Sequence, residues 1–416
     1  MQSNSHIVDS EKRRVIFLCF DNPICNTRIL RASQAAKNAG YNVYAVGLEN
    51  TTIGPPSAKQ YSFKAKNILL VKNNMSAFRW RMQTVAIGLL SKLFPMDAAR
   101  QFLFKQLPYH NVFDASAENL FLALNMEHAL SDKDIVFAEH WQVGLAARKA
   151  KQKYGCRIFY DLSELPIVEF SKNTIWNFLM PELVHSAEAL IIDVTDTTVS
   201  VIPSPKFYFD KFYNKNIKSR YIPNQVLSGI EKPRLDLGKR PKRVIYFGGI
   251  RPHRGIETMI EALKYLPDTI QFDCRGYGKK SYMNALRKKA HKLDVQHRFN
   301  ILDPVSPDCI MDSIIGYACG LSILDPSSLQ LQMAQPNKAF LYLKAGLPFL
   351  VSKTTILATQ IKDMPFAGVV EWDNPIDLAK KISLFYNSRI EIPETSYNDF
   401  LVHIKAENFS DLFDRK

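Results

Sequence analysis

Two stretches in the second half of the chain have residue types suited to binding a phosphorylated ligand. The first, GGIRPHRG at residues 248–255, combines two glycines with Arg251 and Arg254. Glycines let a backbone approach a ligand closely, and guanidinium groups pair with phosphate oxygens. The second, QPNK at residues 335–338, opens a short helix whose free N–H groups and dipole favour an anion. If the two stretches meet at one edge of a cleft, they predict a diphosphate site.

Four side chains in the first half are candidates for acid–base chemistry. Glu139 and His140 follow one apolar stretch, and Asp161 and Glu164 follow the next. Because ligands bind at the carboxyl ends of parallel strands, both loops should lie on a cleft. Any of the four could orient or deprotonate an acceptor hydroxyl. Each could instead be a surface charge or a helix cap, and capping is at least as plausible for Asp161.

Apolar patterning predicts the elements that position these groups. Residues 14–20, 27–38 and 42–47 read as strand, helix and strand, which is the opening of a doubly wound domain. No GxGxxG follows the first strand, which argues against a dinucleotide-dependent oxidoreductase. In the second half, strands are predicted at 244–247, 321–324 and 349–351. A helix from Asn337 is expected to end at Gly346, which supplies a left-handed residue.

Several of these stretches resemble family-4-like glycosyltransferases of the GT-B fold. PNKAFLYLKAGLPFLVS, residues 336–352, is similar to their signature PNK-hydrophobic-F-E-Y-x-x-x-G-L-P. GGIRPHRG resembles their diphosphate loop, and NTRILRASQAAKNAGYNVYAV resembles their opening. The similarity extends over 14–50, 130–225 and 243–385. It implies an α/β protein of two Rossmann-like domains facing each other across a cleft, with a C-terminal helix crossing back.

The resemblance also suggests landmarks of the first and second domains. Residues 187–195 resemble the last strand of the first domain, and 221–224 resemble the I-P-N that closes it. Residues 271–278 resemble a strand end near the nucleotide. The implied substrate-binding residues are Gly248, Gly249, Arg251, Arg254, Gly276, Gly278, Asp325, Gln335, Pro336, Asn337 and Lys338.

Two departures from the family pattern concern the ribose of the donor. The glutamate that holds the ribose in the family is Leu341 here, and its partner glutamate is Met333. We hypothesise that Gln332, Gln335 or Asp325 replaces this contact. The departure also weakens the expectation of a retaining mechanism.

The predicted domain plan has four parts. Residues 1–225 form an acceptor- and membrane-facing domain, and 226–242 form a polar linker rich in Pro and Gly. Residues 243–395 form the nucleotide-sugar domain. Residues 396–416 form a helical segment that packs back on the first domain.

Composition limits the partners and the compartment. The 416 residues carry a formal charge of +14, which suits nucleic acid, an anionic membrane or anionic substrates. No nucleic-acid module is recognisable, so no nucleic-acid partner is expected. The first fourteen residues do not resemble a signal peptide, and no apolar run approaches the roughly 18 residues of a membrane span. The six scattered cysteines predict buried thiols in a reducing compartment, without a structural metal.

Residues 64–110 have the composition of an interfacial helix. Eight basic residues are interleaved with apolar and aromatic ones, against the single acid Asp97. This pattern predicts contact with an anionic membrane surface. The alternative is that the apolar residues are core and the basic ones its solvated edge.

The resulting functional hypothesis is a glycosyltransferase. It would move a sugar from a nucleotide sugar, with a UDP-sugar favoured, to a glycan or lipid-linked acceptor in bacterial surface polysaccharide synthesis. Retention, metal independence, no cofactor and a peripheral location on the cytoplasmic face of the membrane are expected. Two alternatives stay open: a catalytically silent GT-B relative serving as a subunit of an assembly, and a GT-B nucleotide-sugar epimerase.

Overall fold

Most of the chain folds into two layered α/β domains. The computed structural model describes residues 13–20, 22–48, 63, 67–71, 77–94, 96–104, 130–168, 175–226, 242–387, 392–393 and 395–413. Within these residues each domain contains one parallel sheet, with helices packed on both of its faces. The predicted fold class, two doubly wound domains, is confirmed.

The described part of the first sheet has seven strands. They are β1 (Arg14–Leu18), β2 (Asn42–Leu48), β3 (Ile68–Val71), β4 (Ile135–Ala138), β5 (Arg157–Leu162), β6 (Thr197–Ser200) and β7 (Ser219–Tyr221). Their spatial order is β3-β2-β1-β4-β5-β6-β7. The order reverses between β1 and β4, so the loops after these strands meet at a topological switch point, where ligands bind in such sheets.

Helices cover both faces of this sheet, as β1 illustrates. Successive side chains of a strand point to opposite faces, and those of β1 are buried on both. Val15 and Phe17 face one core, and Ile16 and Leu18 face the other. The helices are α1 (Thr27–Asn38), α2 (Ala77–Leu93), α3 (Asp97–Phe104), α4 (Gly144–Tyr154), α5 (Ile175–Ile192) and α6 (Lys206–Tyr213). No helix in the described part of the chain is both long enough and apolar enough to cross a bilayer.

The prediction of a strand over 187–195 is wrong. The first six of these residues complete α5, and the strand follows them as β6. Buried positions recur along α5 at intervals of three and four, at Leu183, Val184, Ala187, Leu190 and Ile191. This spacing places them on one face of a helix. The short apolar run at its end was mistaken for a buried strand because such runs have the same composition in both elements.

The second sheet has six strands, and all of its residues are described. They are β8 (Arg243–Phe247), β9 (Gln271–Arg275), β10 (Phe299–Leu302), β11 (Cys319–Ser322), β12 (Phe349–Ser352) and β13 (Ala367–Val370), in the order β10-β9-β8-β11-β12-β13. The strand expected at 321–324 begins and ends two residues earlier. Its last two residues leave the sheet, and Leu324 N and O instead bond to the Ser352 hydroxyl, each at 2.7 Å.

The remaining helices belong to the second domain and to the C-terminal segment. They are α7 (Ile256–Ala262), α8 (Lys280–Lys292), α9 (Ile310–Ile314), α10 (Leu329–Met333), α11 (Asn337–Lys344), α12 (Ile356–Gln360), α13 (Pro375–Asn387), α14 (Ser396–His403) and α15 (Phe409–Phe413). Short 3₁₀ turns lie at Trp141–Val143, Pro166–Val168, Leu263–Tyr265, Gln296–Arg298 and Pro307–Cys309.

The C-terminal segment divides its packing between the two domains. Tyr397 and Phe400 of α14 are buried in the second domain, where the Phe400 ring lies 5.8 Å from that of Phe340. Phe409 and Phe413 of α15 are buried in the first domain. The prediction that the segment from residue 396 packs on the first domain is therefore corrected for α14, whose apolar face matches the second core.

The cysteines largely follow expectation. Five of the six are buried, and Cys309 is exposed.

Candidate functional site

A cleft of about 690 Å³ separates the carboxyl ends of the two sheets. Loops after β1, β5 and β6 form its first wall, and loops after β8, β9, β10 and β11 form its second. Hydrogen bonds connect the two walls: the Leu165 amide donates to Oε1 of Gln330 at 2.7 Å, and Asn224 Nδ2 donates to the Gln335 carbonyl oxygen at 2.9 Å. Both predicted site regions therefore contribute to one cavity.

Glycines let the loops after β8 and β9 pack directly on each other. A Cβ on Gly276 would lie 2.0 Å from the Gly248 carbonyl oxygen, and one on Gly278 would lie 2.4 Å from the Ile250 oxygen. Gly276 (φ 151°) and Gly248 (φ 126°) also adopt backbone angles that disfavour other residues. Gly248, Gly249 and Gly276 line the cleft, whereas Gly278 lies behind it and serves packing.

Three cations converge on the second wall of the cleft. Arg251, Arg254 and Lys338 all line it, and Nζ of Lys338 lies 4.9 Å from the Tyr246 ring centroid. Burial, and then the charges of Arg254 and Arg251, hold the pKa of Lys338 well below its usual value. Burial and Arg251 likewise lower the pKa of Arg254.

These cations have no ion-pair partner in the described part of the chain. Glu164 is the one carboxylate among the described lining residues, and its charge is felt by Arg254. An uncompensated group of cations in a low-dielectric cleft is a strong site for a multivalent anion. The N-terminus of α11, with Pro336 and Asn337 on the same wall, adds free backbone donors.

The ribose end of the predicted site is apolar. Leu341 and Met333 line the cleft where the family pattern has carboxylates. Each of the three proposed replacements is engaged elsewhere. Gln335 bonds to Tyr221 and Gln360, each at 2.6 Å, while the side-chain nitrogen of Gln332 bonds to the Pro326 oxygen. Asp325 bonds to His253 and to Ser327 N, and lies outside the cleft lining.

Among the four candidates on the first domain, Glu164 lines the cleft. Glu139 is buried and accepts a hydrogen bond from Asn26, which caps α1. His140 stacks on Phe20 with ring centroids 5.5 Å apart. Burial lowers the pKa of His140 to about 4, although the charge of Glu164 opposes this, so the ring is neutral at physiological pH.

Asp161 is held in a buried ion pair. Arg28 donates to both of its oxygens at 2.6 Å, and Nη1 of Arg28 also donates to the Ile222 oxygen at 2.8 Å. Asp161 does not line the cleft. The structure thus brings Glu164 to the cations and places the other three predicted side chains behind the cleft wall.

Several cleft residues were missed from the sequence. Asn26 caps α1 at the switch point of the first sheet, and its place just before a helical stretch was an available signal. His253 and Tyr277 belong to loops that were recognised, but nothing in their spacing marked them. The described residues contain no group of three His, Cys, Asp or Glu side chains placed to bind a metal. Metal-independent transfer stays a prediction.

Comparisons with known proteins show the fold. No protein-family model and no curated protein sequence matches the chain. The sucrose-phosphate synthase of Thermosynechococcus elongatus is similar over 96% of this chain and 96% of its own, with 13% identity and a TM-score of 0.68. Anabaena HepE in complex with UDP-glucose gives 12% identity over 96% and 97%, with a TM-score of 0.63. The lipopolysaccharide outer core galactosyltransferase WaaB gives 13% identity over 96% and 97%, with a TM-score of 0.54. The chain has the GT-B fold.

Proposed function

We propose that this protein is a glycosyltransferase that takes its sugar from a nucleoside-diphosphate sugar. The observation that carries the proposal is the group of Arg251, Arg254 and Lys338, which lines an interdomain cleft without a carboxylate partner in the described chain. Breaking the anomeric bond leaves negative charge on the diphosphate, and fixed cations stabilise that charge as it develops. The first wall of the cleft, with Glu164, receives the acceptor hydroxyl.

A UDP-sugar is the favoured donor. HepE, which shares the fold, binds UDP-glucose. WaaB, which also shares it, is named as a lipopolysaccharide galactosyltransferase, and this supports an acceptor that is a glycan or a glycolipid of a bacterial surface polysaccharide. We expect a retaining reaction because the resemblance implies retention more often than inversion, and a metal-independent one because the sequence has no acidic pair at metal-ligand spacing near the PNK and GGIRPHRG motifs.

A membrane-bound acceptor agrees with an exposed apolar surface on α2, α3 and α5. Eight large side chains contribute to this apolar surface: Met82, Leu89, Leu90, Leu93, Phe94, Met96, Phe102 and Phe178. Leu93 is 72% and Phe94 55% exposed, which is unusual for side chains that could have packed in a core. With the net charge of +14, this surface suits the cytoplasmic face of an anionic membrane. Four of the eight basic residues of the predicted interfacial stretch, Lys64, Lys66, Lys72 and Lys105, lie outside the described residues.

A catalytically silent relative is the second candidate, and Leu341 and Met333 favour it. Their apolar side chains occupy the end of the cleft where the family holds a ribose. Such a protein would bind a nucleotide weakly and would neither transfer nor hydrolyse the donor. Turnover that is lost in Arg254→Ala would exclude this candidate.

The proposal is tested by measuring which nucleotide raises the melting temperature, among UDP, GDP, ADP and CMP. A ligand that binds only the native state stabilises it in proportion to the logarithm of its concentration over Kd. We expect UDP to raise the melting temperature most and Arg254→Ala to remove the effect. Lys264→Ala, which removes an exposed cation outside the cleft, should preserve it. If none of the nucleotides stabilises the wild-type protein, the proposed function is wrong.

A further inference from the structure

The loop that carries Arg251 and Arg254 contains a strained residue. His253 has φ +67°, a left-handed angle that is uncommon for a residue other than Gly and that costs free energy relative to Gly. Its ring donates from Nδ1 to Oδ2 of Asp325 over 2.5 Å, and its carbonyl oxygen accepts from the Asp325 amide at 3.3 Å. These contacts hold the loop in a conformation that it would not favour alone.

Asp325 is itself fixed to the sheet. Its Oδ1 accepts from the Ser327 amide at 2.7 Å, and the preceding Leu324 is bonded through N and O to the Ser352 hydroxyl. Burial alone would raise the pKa of Asp325, but hydrogen bonds from His253 and Ser327 hold it below its usual value. The carboxylate is therefore a charged acceptor anchored at the end of β11.

A second contact anchors the loop to the same strand end. A Cβ on Gly255 would lie 2.7 Å from Cγ2 of Ile323, so the loop backbone packs directly on this side chain. Arg254 lies between the two anchored residues, His253 and Gly255. Its direction into the cleft is thus set by contacts on either side of it.

We infer that Asp325 is a positioning residue that acts through His253 to hold Arg254 toward the bound diphosphate. Asp325 was predicted from the sequence as a substrate ligand, but it does not line the cleft, whereas His253 and Arg254 do. Arg251, Arg254 and Lys338 repel one another in the free protein, so a flexible loop would move its guanidinium groups apart. A loop that is fixed before the ligand arrives avoids the cost of ordering it on binding. This inference rests on the proposed function.

The test measures the Kd of UDP by calorimetry in the 416-residue chain. Asp325→Ala should weaken binding by about tenfold, the equivalent of one lost hydrogen bond to a charged group. Asp325→Asn should stay within about threefold of wild type. Its amide oxygen can still accept from Ser327 N, and its NH₂ can donate to Nδ1 once the ring proton moves to Nε2.

Substitutions of His253 provide a matched pair. His253→Gly keeps the left-handed backbone and removes the ring, so it should weaken UDP binding as Asp325→Ala does. His253→Asn tolerates the same angle and can donate to Asp325, so it should restore much of the affinity. The double variant His253→Gly with Asp325→Ala should bind no more weakly than either single variant, because both remove one contact. Asp363→Ala, an exposed control in the same domain, should bind as wild type does.

The outcomes separate this inference from the proposed function. Unchanged UDP affinity in Asp325→Ala overturns the positioning role alone. The positioning role is also overturned if the losses of UDP affinity in the two single variants add in the double variant. It is overturned as well if Asp325→Asn binds UDP as weakly as Asp325→Ala does. A wild-type protein that binds neither UDP nor pyrophosphate overturns the proposed function, and the positioning role with it.

Discussion

The Tyr221 hydroxyl donates a 2.6 Å hydrogen bond to Oε1 of Gln335 and so connects the two domains. Tyr221 ends β7 of the first sheet, and Gln335 directly precedes Pro336, the N-cap of α11. The same glutamine donates from Nε2 to Gln360 at 2.6 Å, and its carbonyl oxygen accepts from Asn224 Nδ2 at 2.9 Å. The helix that presents Lys338 is therefore positioned in part by the first domain.

Tyr221→Phe should lower the free energy of unfolding by about 1–3 kcal/mol, because it leaves a buried amide oxygen without its donor. Tyr221 is 7% and Gln335 2% exposed, so water has little access to replace the hydroxyl. Urea titration followed by circular dichroism measures the change. Tyr265→Phe, at an exposed tyrosine, is the control. Equal stability of both variants would show that this contact contributes nothing.

We predict that Asp161 stabilises the folded protein. Asp161→Asn should lower the free energy of unfolding by about 3–5 kcal/mol, since the Arg28 charge stays buried after its partner is neutralised. The side chains of the pair are 5% and 0% exposed, so solvent screens it little. Asp193→Asn, which disrupts an exposed pair with Lys215, should change stability by less than about 1 kcal/mol. A stable Asp161→Asn protein that has lost only turnover would support a catalytic carboxylate instead.

Local signals in the sequence pointed to several residues that the structure places on the second wall of the cleft. These signals are the two glycines and two arginines of residues 248–255 and Pro336 before a helix. The role of each can be inferred from the residues next to it in the chain. Gly346 likewise ends its helix with φ 66°, as predicted. Such features depend on backbone angles and on helix termini, which a short stretch of sequence determines.

The roles of the acidic residues were set by partners far along the chain. Asp161 pairs with Arg28, 133 residues away, and Asp325 with His253, 72 residues away. Glu188 accepts hydrogen bonds from three tyrosine hydroxyls, two of them at 2.6 Å from Tyr160 and 2.5 Å from Tyr213. A carboxylate looks the same in the sequence whether it faces a substrate or a buried guanidinium. Only the packing of distant elements decides between these roles.

The exposed apolar surface on α2, α3 and α5 should bind anionic vesicles. Leu93→Ser with Phe94→Ser should weaken binding to vesicles rich in phosphatidylglycerol by about tenfold or more, because each side chain loses apolar burial in the lipid interface. Co-sedimentation measures the bound fraction. Ile376→Ser with Val402→Ser, at exposed apolar residues of the second domain, is the matched control. The membrane proposal is wrong if the wild-type protein stays in the supernatant, or if both double variants bind equally.

His140 should make the protein less stable as the pH falls from about 6.5 to about 4. Its pKa in the folded protein lies below that of the unfolded chain, so in this interval the unfolded state binds the extra proton. The loss should be about 2 kcal/mol, less than the full shift implies because His140 as a whole residue is only partly buried. His140→Asn should unfold in urea with a flatter pH dependence than wild type. His403→Asn, at an exposed histidine of α14, should retain the wild-type slope. If the stability of His140→Asn depends on pH as steeply as that of wild type, the prediction of a lowered pKa for His140 is contradicted.

We expect Lys338 to take up a proton when the ligand binds. Burial, and then the charges of Arg254 and Arg251, lower its pKa, so the amine of the free protein loses its proton more readily than that of an exposed lysine. A bound diphosphate places negative charge beside the amine, raises its pKa and draws a proton from the buffer. Calorimetric titrations with UDP at about pH 8, in buffers of different ionisation enthalpy, give the number of protons taken up. We expect a net uptake that is absent in Lys338→Met and present in Lys344→Met, which changes the neighbouring lysine of the same helix. Binding without proton uptake in the wild-type protein would show that the charge of Lys338 does not change when the ligand binds, which contradicts this prediction.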